Sequence, residues 1–320
     1  MKKIYLDWNI ITHLEEDPKL YDYICQNQSH FVFVYSPAHF SDLMKSYKED
    51  GSNEYFEKDL QRFGTICETH LMYYSDKRMN IYKCSPTEFL EKEGKDFPRI
   101  KDVFSPDYFK KALHVDGLDL YNLFSNSLKS ISFGKTIELP FLGSFSNGLE
   151  LLNCTSRFFE KILTDKLFVK DFRAKTTNNL TDKEITKING YAPNKIVETI
   201  NTSLAQYGYK DDFVELIKKG LQVNQQDDEK LIFESLYIGL DFMRFHSDQN
   251  NLMNILTDAD HAYYGSYCDI LVSADANMRS KAEAVYSYLK KDTKIISKQE
   301  LLQYLKEEFE CEMKLGKKSQ

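Results

Sequence analysis

No stretch of this sequence stays apolar for the roughly 18 residues that a bilayer-spanning helix needs, so no membrane partner is expected. Cysteine is sparse and scattered. The six residues Cys25, Cys67, Cys84, Cys154, Cys268 and Cys311 form no CxxC pair and no Cys/His ligand spacing. That favours free thiols in a reducing compartment over a zinc site or a disulfide framework. There is no internal repeat and no low-complexity linker. Positive charge is short: 42 Lys and Arg face 49 Asp and Glu, for a net charge of −7. A protein that coats nucleic acid through general basicity is thereby disfavoured. A nuclease is not, because a site built of carboxylates is itself acidic and is neutralised by metal. The opening "MKKIYLDWN" has two lysines but no apolar core and no small-residue cleavage site. The expectation is a cytoplasmic chain without a signal peptide.

What is present is ordinary globular material in one large domain or two smaller ones. Of the 320 residues, 42% are hydrophobic and 14% aromatic, which argues for a packed core rather than disorder. Residues 3–6 read as a strand and 12–27 as helical, with Pro18 opening or breaking the helix. "FVFVYSP" (31–37) is a continuous apolar, β-branched run, the pattern of a strand covered on both faces. "SPAHFSDLMKSYKE" follows as a helix with Ser36 as N-cap and Pro37 at its first position. Near the other end, 258–269 reads as a short helix, 270–275 as a strand, 276–291 as a helix, 293–297 as a strand and 298–313 as a closing helix. Strands alternating with helices imply a parallel sheet. Between roughly 55 and 245 the apolar residues recur at helical spacing, and only 136–145 looks extended. The organisation expected is an α/β core from 1–55 and 250–310, a helical insertion over 56–249, and a frayed tail over 311–320.

The acids of this core stand at informative places. In open parallel sheets ligands bind at the carboxyl ends of strands. Asp7 ends the first strand and Asp275 ends "ILVSAD". Asp42 lies in the helix after the second strand, and Asp258 at the start of the helix before "ILVS". Each has a plain structural explanation: Asp258 and Asp275 as N-caps, Asp42 as a solvated face residue, Asp7 as a strand terminator. Together they describe four carboxylates able to meet at one sheet edge. Such a cluster repels itself unless a cation neutralises it. Mg²⁺ and Mn²⁺ prefer oxygen ligands, and such an ion supports phosphodiester hydrolysis.

The order "IYLDWNI", "YSPAHFSDL", "TDADHAYYGSYCDILVSADANM" resembles PIN-domain ribonucleases. The resemblance implies a PIN-like three-layer core with a parallel sheet, a large α-helical insertion, and a metal-dependent endoribonuclease. Carried over, the catalytic and metal-binding positions are Asp7, Asp42, Asp258 and Asp275, with Mg²⁺ or Mn²⁺ as cofactor. Asp258 precedes Asp275 by 17 positions, as the family's helix and strand require. Ser273 matches the small hydroxyl before the last acid, and Asn9 the small polar position after the first. Asp42 stands where the family usually has Glu, which shortens its reach by about one methylene. Asp260 and Asp269 are additional acids, and Asp260 competes with Asp258 for the ligand role. Haloacid-dehalogenase-like phosphatases also begin with a strand ending in Asp, but they need Asp and Thr where this chain has Asn9 and Ile11. Flap-type nucleases share the core, but their further acids and DNA clamp are not visible here. The alternative from another class is a non-catalytic PIN-like module that binds RNA or a protein.

RNA is the expected partner, with an inhibitory or regulatory protein as a second partner class. Between 155 and 195, nine Lys and Arg face five acids, and "KLFVKDFRAKTTNN" sets Lys170, Arg173 and Lys175 among Phe168 and Phe172. That composition suits phosphate contact with stacking, and equally a solvated helix face. Arg279 and Lys281 follow Asp275 and are candidates for phosphate near the acids. His261 and His39 read chiefly as structural, and Trp8 as core.

Overall fold

The computed structural model describes residues 1–48, 53–93, 114–115, 118–119, 126–176, 180–220, 229–247 and 252–316. They fall into two compact units. One comprises Met1–Lys95, Thr181–Asp248 and Leu256–Gln320. The other comprises Asp96–Leu180 and Gln249–Ile255.

The first unit is α/β. Strand β1 (Lys2–Leu6) leads into helices α1 (Trp8–His13) and α2 (Pro18–Gln26), then β2 (Phe31–Val34) and α3 (Pro37–Leu43). Pro18 opens a second helix rather than breaking a longer one, and Asp17 caps it by accepting the Leu20 N–H at 3.2 Å. Helix α4 (Glu54–Cys67), the hairpin β3 (His70–Ser75) and β4 (Arg78–Lys83), and α5 (Pro86–Glu93) follow. The second unit contributes the short pair β5 (His114–Val115) and β6 (Leu118–Asp119), and the hairpin β7 (Ser132–Leu139) and β8 (Gly143–Asn147). Its helices are α6 (Gly148–Thr164) and α7 (Lys166–Thr176). The chain returns to the first unit with α8 (Asp182–Asn189), α9 (Pro193–Gln206), α10 (Phe213–Gly220) and α11 (Glu229–Phe242). Then come α12 (Leu252–Gly265), which belongs to the first unit from Leu256 on, β9 (Ile270–Val272), α13 (Ala276–Leu289), β10 (Lys294–Ile296) and α14 (Lys298–Gly316).

The sheet of the first unit has the order β10-β9-β1-β2, with every pair parallel. Ile4 pairs with both Phe33 and Ile270, and Leu6 with Val272. Ile4, Tyr5, Leu6, Ile270, Leu271 and Val272 are all buried. This is the two-sided cover that the unbroken apolar runs predict. The chain leaves β1 toward β2 on one side and lays β9 and β10 on the other. The sheet order therefore reverses beside β1, and a crevice opens at the carboxyl ends of β1 and β9.

The expected helical insertion needs correction. Residues 56–95 and 181–248 belong to the same unit as the sheet, and among the described residues the middle carries three two-stranded antiparallel pairs. The extended reading of 136–145 corresponds to β7 and β8. The expected frayed tail is also corrected, because α14 continues through Gly316; 317–320 lie outside the described residues.

Candidate functional site

Asp7 follows β1 directly. Its backbone N–H donates to the Val272 carbonyl at 2.9 Å, which carries the β1–β9 pairing one residue further and holds Asp7 at the crevice. The residue is only 3% exposed. Oδ2 accepts the Ser273 hydroxyl at 2.8 Å, and Ser273 Oγ accepts the Asp275 N–H at 3.1 Å. Burial raises the Asp7 carboxyl above the usual carboxylate range. The His261 charge and the Ser273 bond oppose the rise, while Asp42 adds to it.

Asp42 comes from the last turn of α3, whose start Pro37 sets. Burial pushes its carboxyl up, but the bond to His261 and the Lys45 ammonium, 2.6 Å from Oδ1, outweigh it. Its pKa ends below the usual value, so Asp42 is firmly ionised. The pair thus holds one carboxylate made more basic and one made less basic.

His261 of α12 joins them. Nε2 lies 2.8 Å from Asp42 Oδ2 and 4.0 Å from Asp7 Oδ1. Burial disfavours the charged ring, yet the Asp42 bond and the charges of Asp7, Asp42 and Asp258 prevail, and the pKa is raised. As an imidazolium, His261 donates through Nε2–H to Asp42 and through Nδ1–H to Tyr5 Oη, 2.8 Å away. The Tyr5 hydroxyl can then donate to Ser36 Oγ at 2.7 Å. His39 has the opposite fate: burial first, then the His261 charge, push its pKa down to about 3. The neutral ring donates Nε2–H to the Leu6 carbonyl at 2.8 Å and accepts the Ser36 N–H on Nδ1 at 3.2 Å. Phe63 of α4 stacks on His39 at 5.3 Å, and Trp8 meets Phe63 edge-on at 5.7 Å. Burying such a side chain contributes about 1.5–3 kcal/mol. The apolar face of α4 therefore fixes the imidazole from behind.

The other expected residues divide. Asp258 sits in the second turn of α12 rather than at its start, so it caps nothing; it lies one turn before His261 and helps to charge it. Asp260, on the same helix, points elsewhere: Lys230 Nζ stands 2.6 Å from its Oδ1, beside Glu234. Burial and the Asp260 charge push Glu234 up to about 8. Asp275 is the N-cap of α13, its Oδ1 accepting the N–H groups of Asn277 at 2.7 Å and Met278 at 3.0 Å. Among the described residues, no three His, Cys, Asp or Glu side chains are arranged to hold a metal ion together. Asn9 is exposed on α1.

Three further expectations are corrected. Asp269 precedes β9, so it lies at the amino end of the strands, where it accepts the Lys3 N–H at 2.8 Å. Lys281 is fully buried and pairs with Asp241 at 2.8 Å, which removes it from any phosphate. In the second unit Arg173 is buried, and Phe168 and Phe172 pack against Phe141 and Phe158 instead of offering free faces. Lys175 pairs with Asp171 at 3.0 Å, and Lys170 is exposed. Arg279 remains by the site, its guanidinium donating to the Ser273 carbonyl at 2.7 Å.

His261, Tyr5, Ser36 and His39 are the site residues that a reading focused on acids passes over. The signal for His261 is its spacing of three from Asp258, one helical turn on the same face.

Comparison of the chain with family models, curated proteins and solved structures gives no match. Among the described residues no helix is long and apolar enough to cross a membrane.

Proposed function

We propose that this chain is a metal-dependent endoribonuclease with a PIN-like core, acting in the cytoplasm on single-stranded or structured RNA. One observation carries the reading. Carboxylates from two separate elements, Asp7 after β1 and Asp42 in α3, meet on one imidazole at the carboxyl end of the central sheet. The donor chemistry fits Mg²⁺ or Mn²⁺, since Asp7, Asp42, Asp258 and Asp275 offer only oxygen. Asp7 and Asp42 would hold the ion, with Asp258 and Asp275 as further oxygen donors that are not gathered around one point in this structure; when bound, the ion would supply charge neutralisation and an activated water. Ser273 orients Asp7 through Oδ2, and His261 orients Asp42 through Oδ2. Arg279, which donates to the Ser273 carbonyl, would offer its remaining N–H groups to a phosphate oxygen.

A second reading, a non-catalytic PIN-like module that binds RNA or a regulatory protein, is favoured by His261 itself. Its charge already compensates Asp42 within the protein. Cleavage of a mixed single-stranded RNA pool in Mn²⁺, with EDTA and Asp7→Asn as controls, decides between the two. The nuclease reading expects cleavage that EDTA and the variant both abolish. RNA or protein binding without cleavage would transfer the assignment to the module.

A further inference from the structure

A polar groove runs along the outer edge of the sheet in the first unit. Its volume is about 420 Å³, within the range of small-molecule clefts. One wall is a face of α13 carrying Arg279, Glu283 and Ser287 at four-residue spacing. The other follows β10, with Thr293 before it, and Ser297 and Glu300 beyond. The Lys294 N–H donates to the Asp269 carbonyl at 3.0 Å, and the Ile296 carbonyl accepts the Ser273 N–H at 3.2 Å. Residue 295, between them, therefore turns its backbone N–H and C=O away from β9, toward the open edge. Ile295 lines the groove.

The groove is joined to the acid site by two hydrogen bonds. Arg279 donates to the Ser273 carbonyl at 2.7 Å, and the Ser273 hydroxyl donates to Asp7 at 2.8 Å. We propose that this groove binds one ribose-phosphate unit, with Arg279 on the phosphate and Glu283 accepting from the ribose hydroxyls.

The chemistry of the lining supports that ligand over others. A guanidinium selects a phosphate oxygen. A carboxylate one turn away repels a second phosphate but accepts from a hydroxyl, and a 2′-hydroxyl is what distinguishes RNA from DNA. Glu300 is already committed, its Oε2 accepting the Ser297 N–H at 2.8 Å and hydroxyl at 2.6 Å. Glu283 is exposed on the groove wall. The ligand can be a unit of an RNA strand or a free nucleotide. The assignment rests on the endoribonuclease reading for its relation to Asp7, but binding is measurable without cleavage.

The test uses the full chain in EDTA. Fluorescence anisotropy compares a short labelled oligoribonucleotide with its deoxy counterpart, and AMP serves as competitor. The expected result is tighter binding of the ribo strand. Glu283→Gln should cut the preference for ribose by about tenfold while leaving the deoxy strand unchanged. Ser287→Trp fills the groove from an exposed position and should weaken both strands. Displacement by AMP identifies a single nucleotide as sufficient, whereas strand binding that AMP does not displace identifies the strand as the source. Equal binding of ribo and deoxy strands, or affinities unchanged in both variants, overturns the proposal even if the protein cleaves RNA. A ribose preference lost in Glu283→Gln upholds it even if no cleavage is seen.

Discussion

Lys281 and Asp241 form an ion pair 2.8 Å long in which neither side chain is exposed to solvent. It ties α13 to α11, with the ammonium 4.9 Å from the centre of the Tyr237 ring. Two buried charges are costly to desolvate, and their mutual attraction repays that cost only as a pair. Lys281→Met alone should therefore destabilise the protein by about 3–5 kcal/mol, because Asp241 is left buried and charged. Adding Asp241→Leu should recover most of the loss. Urea melts of the single and double variants measure both effects.

Tyr5→Phe removes the hydroxyl that links Ser36 and His261 without changing the ring. Both partners are buried, so the loss should be about 1–3 kcal/mol rather than that of an exposed bond. A fall in the urea midpoint with an unchanged slope is the expected signature.

Stability should peak near neutral pH, for reasons that differ on the two sides. The folded pKa of His39 is pushed down to about 3, below the ordinary 6.5. Between those values the unfolded chain binds a proton that the folded chain refuses. Stability should therefore fall by about 1.4 kcal/mol for each unit of acidification through that window. His261 has a raised folded pKa, so its contribution is complete below 6.5 and is lost as the pH rises through the raised value. His39→Phe should flatten the acid limb and leave the alkaline limb in place. Thermal melts across pH for both proteins test this.

Asp7→Asn keeps the shape of the side chain and an oxygen to accept the Ser273 hydroxyl. It removes a charge that burial makes costly. The variant should fold and gain on the order of 1 kcal/mol at neutral pH, while losing all cleavage of single-stranded RNA. A destabilised variant would show that the Asp7–His261 attraction outweighs the cost of burial.

The four sheet strands were legible because each is a short apolar run bounded by polar residues. That pattern belongs to the strand itself and survives any context. Asp7 and Asp42 were legible through their positions relative to those strands. The hairpin of β3 and β4 was not. Its two-residue turn is Asp76–Lys77, with φ of 51° and 60°, the conformation usually signalled by Asn-Gly or Asp-Gly. Lys281 looked like a surface base because its burial depends on Asp241, on another helix. The start of α12 was misplaced because Asp258 resembles a cap, although the helix begins at Leu252. The spacing of His261 from Asp258 is a local signal only that the two share a helix face; its role was not legible, since it depends on carboxylates supplied after β1 and in α3.

Asp7 and Ser273 touch across 266 positions of sequence. During synthesis Asp7 leaves the ribosome 266 residues ahead of Ser273, with His261 close before the latter. Contacts so distant in sequence form late, after a large loop has closed. A growing polypeptide therefore carries the first carboxylate without the partners that orient it. If the protein cuts RNA, the messenger and ribosome that produce it are spared by topology until the segment carrying His261 and Ser273 has emerged.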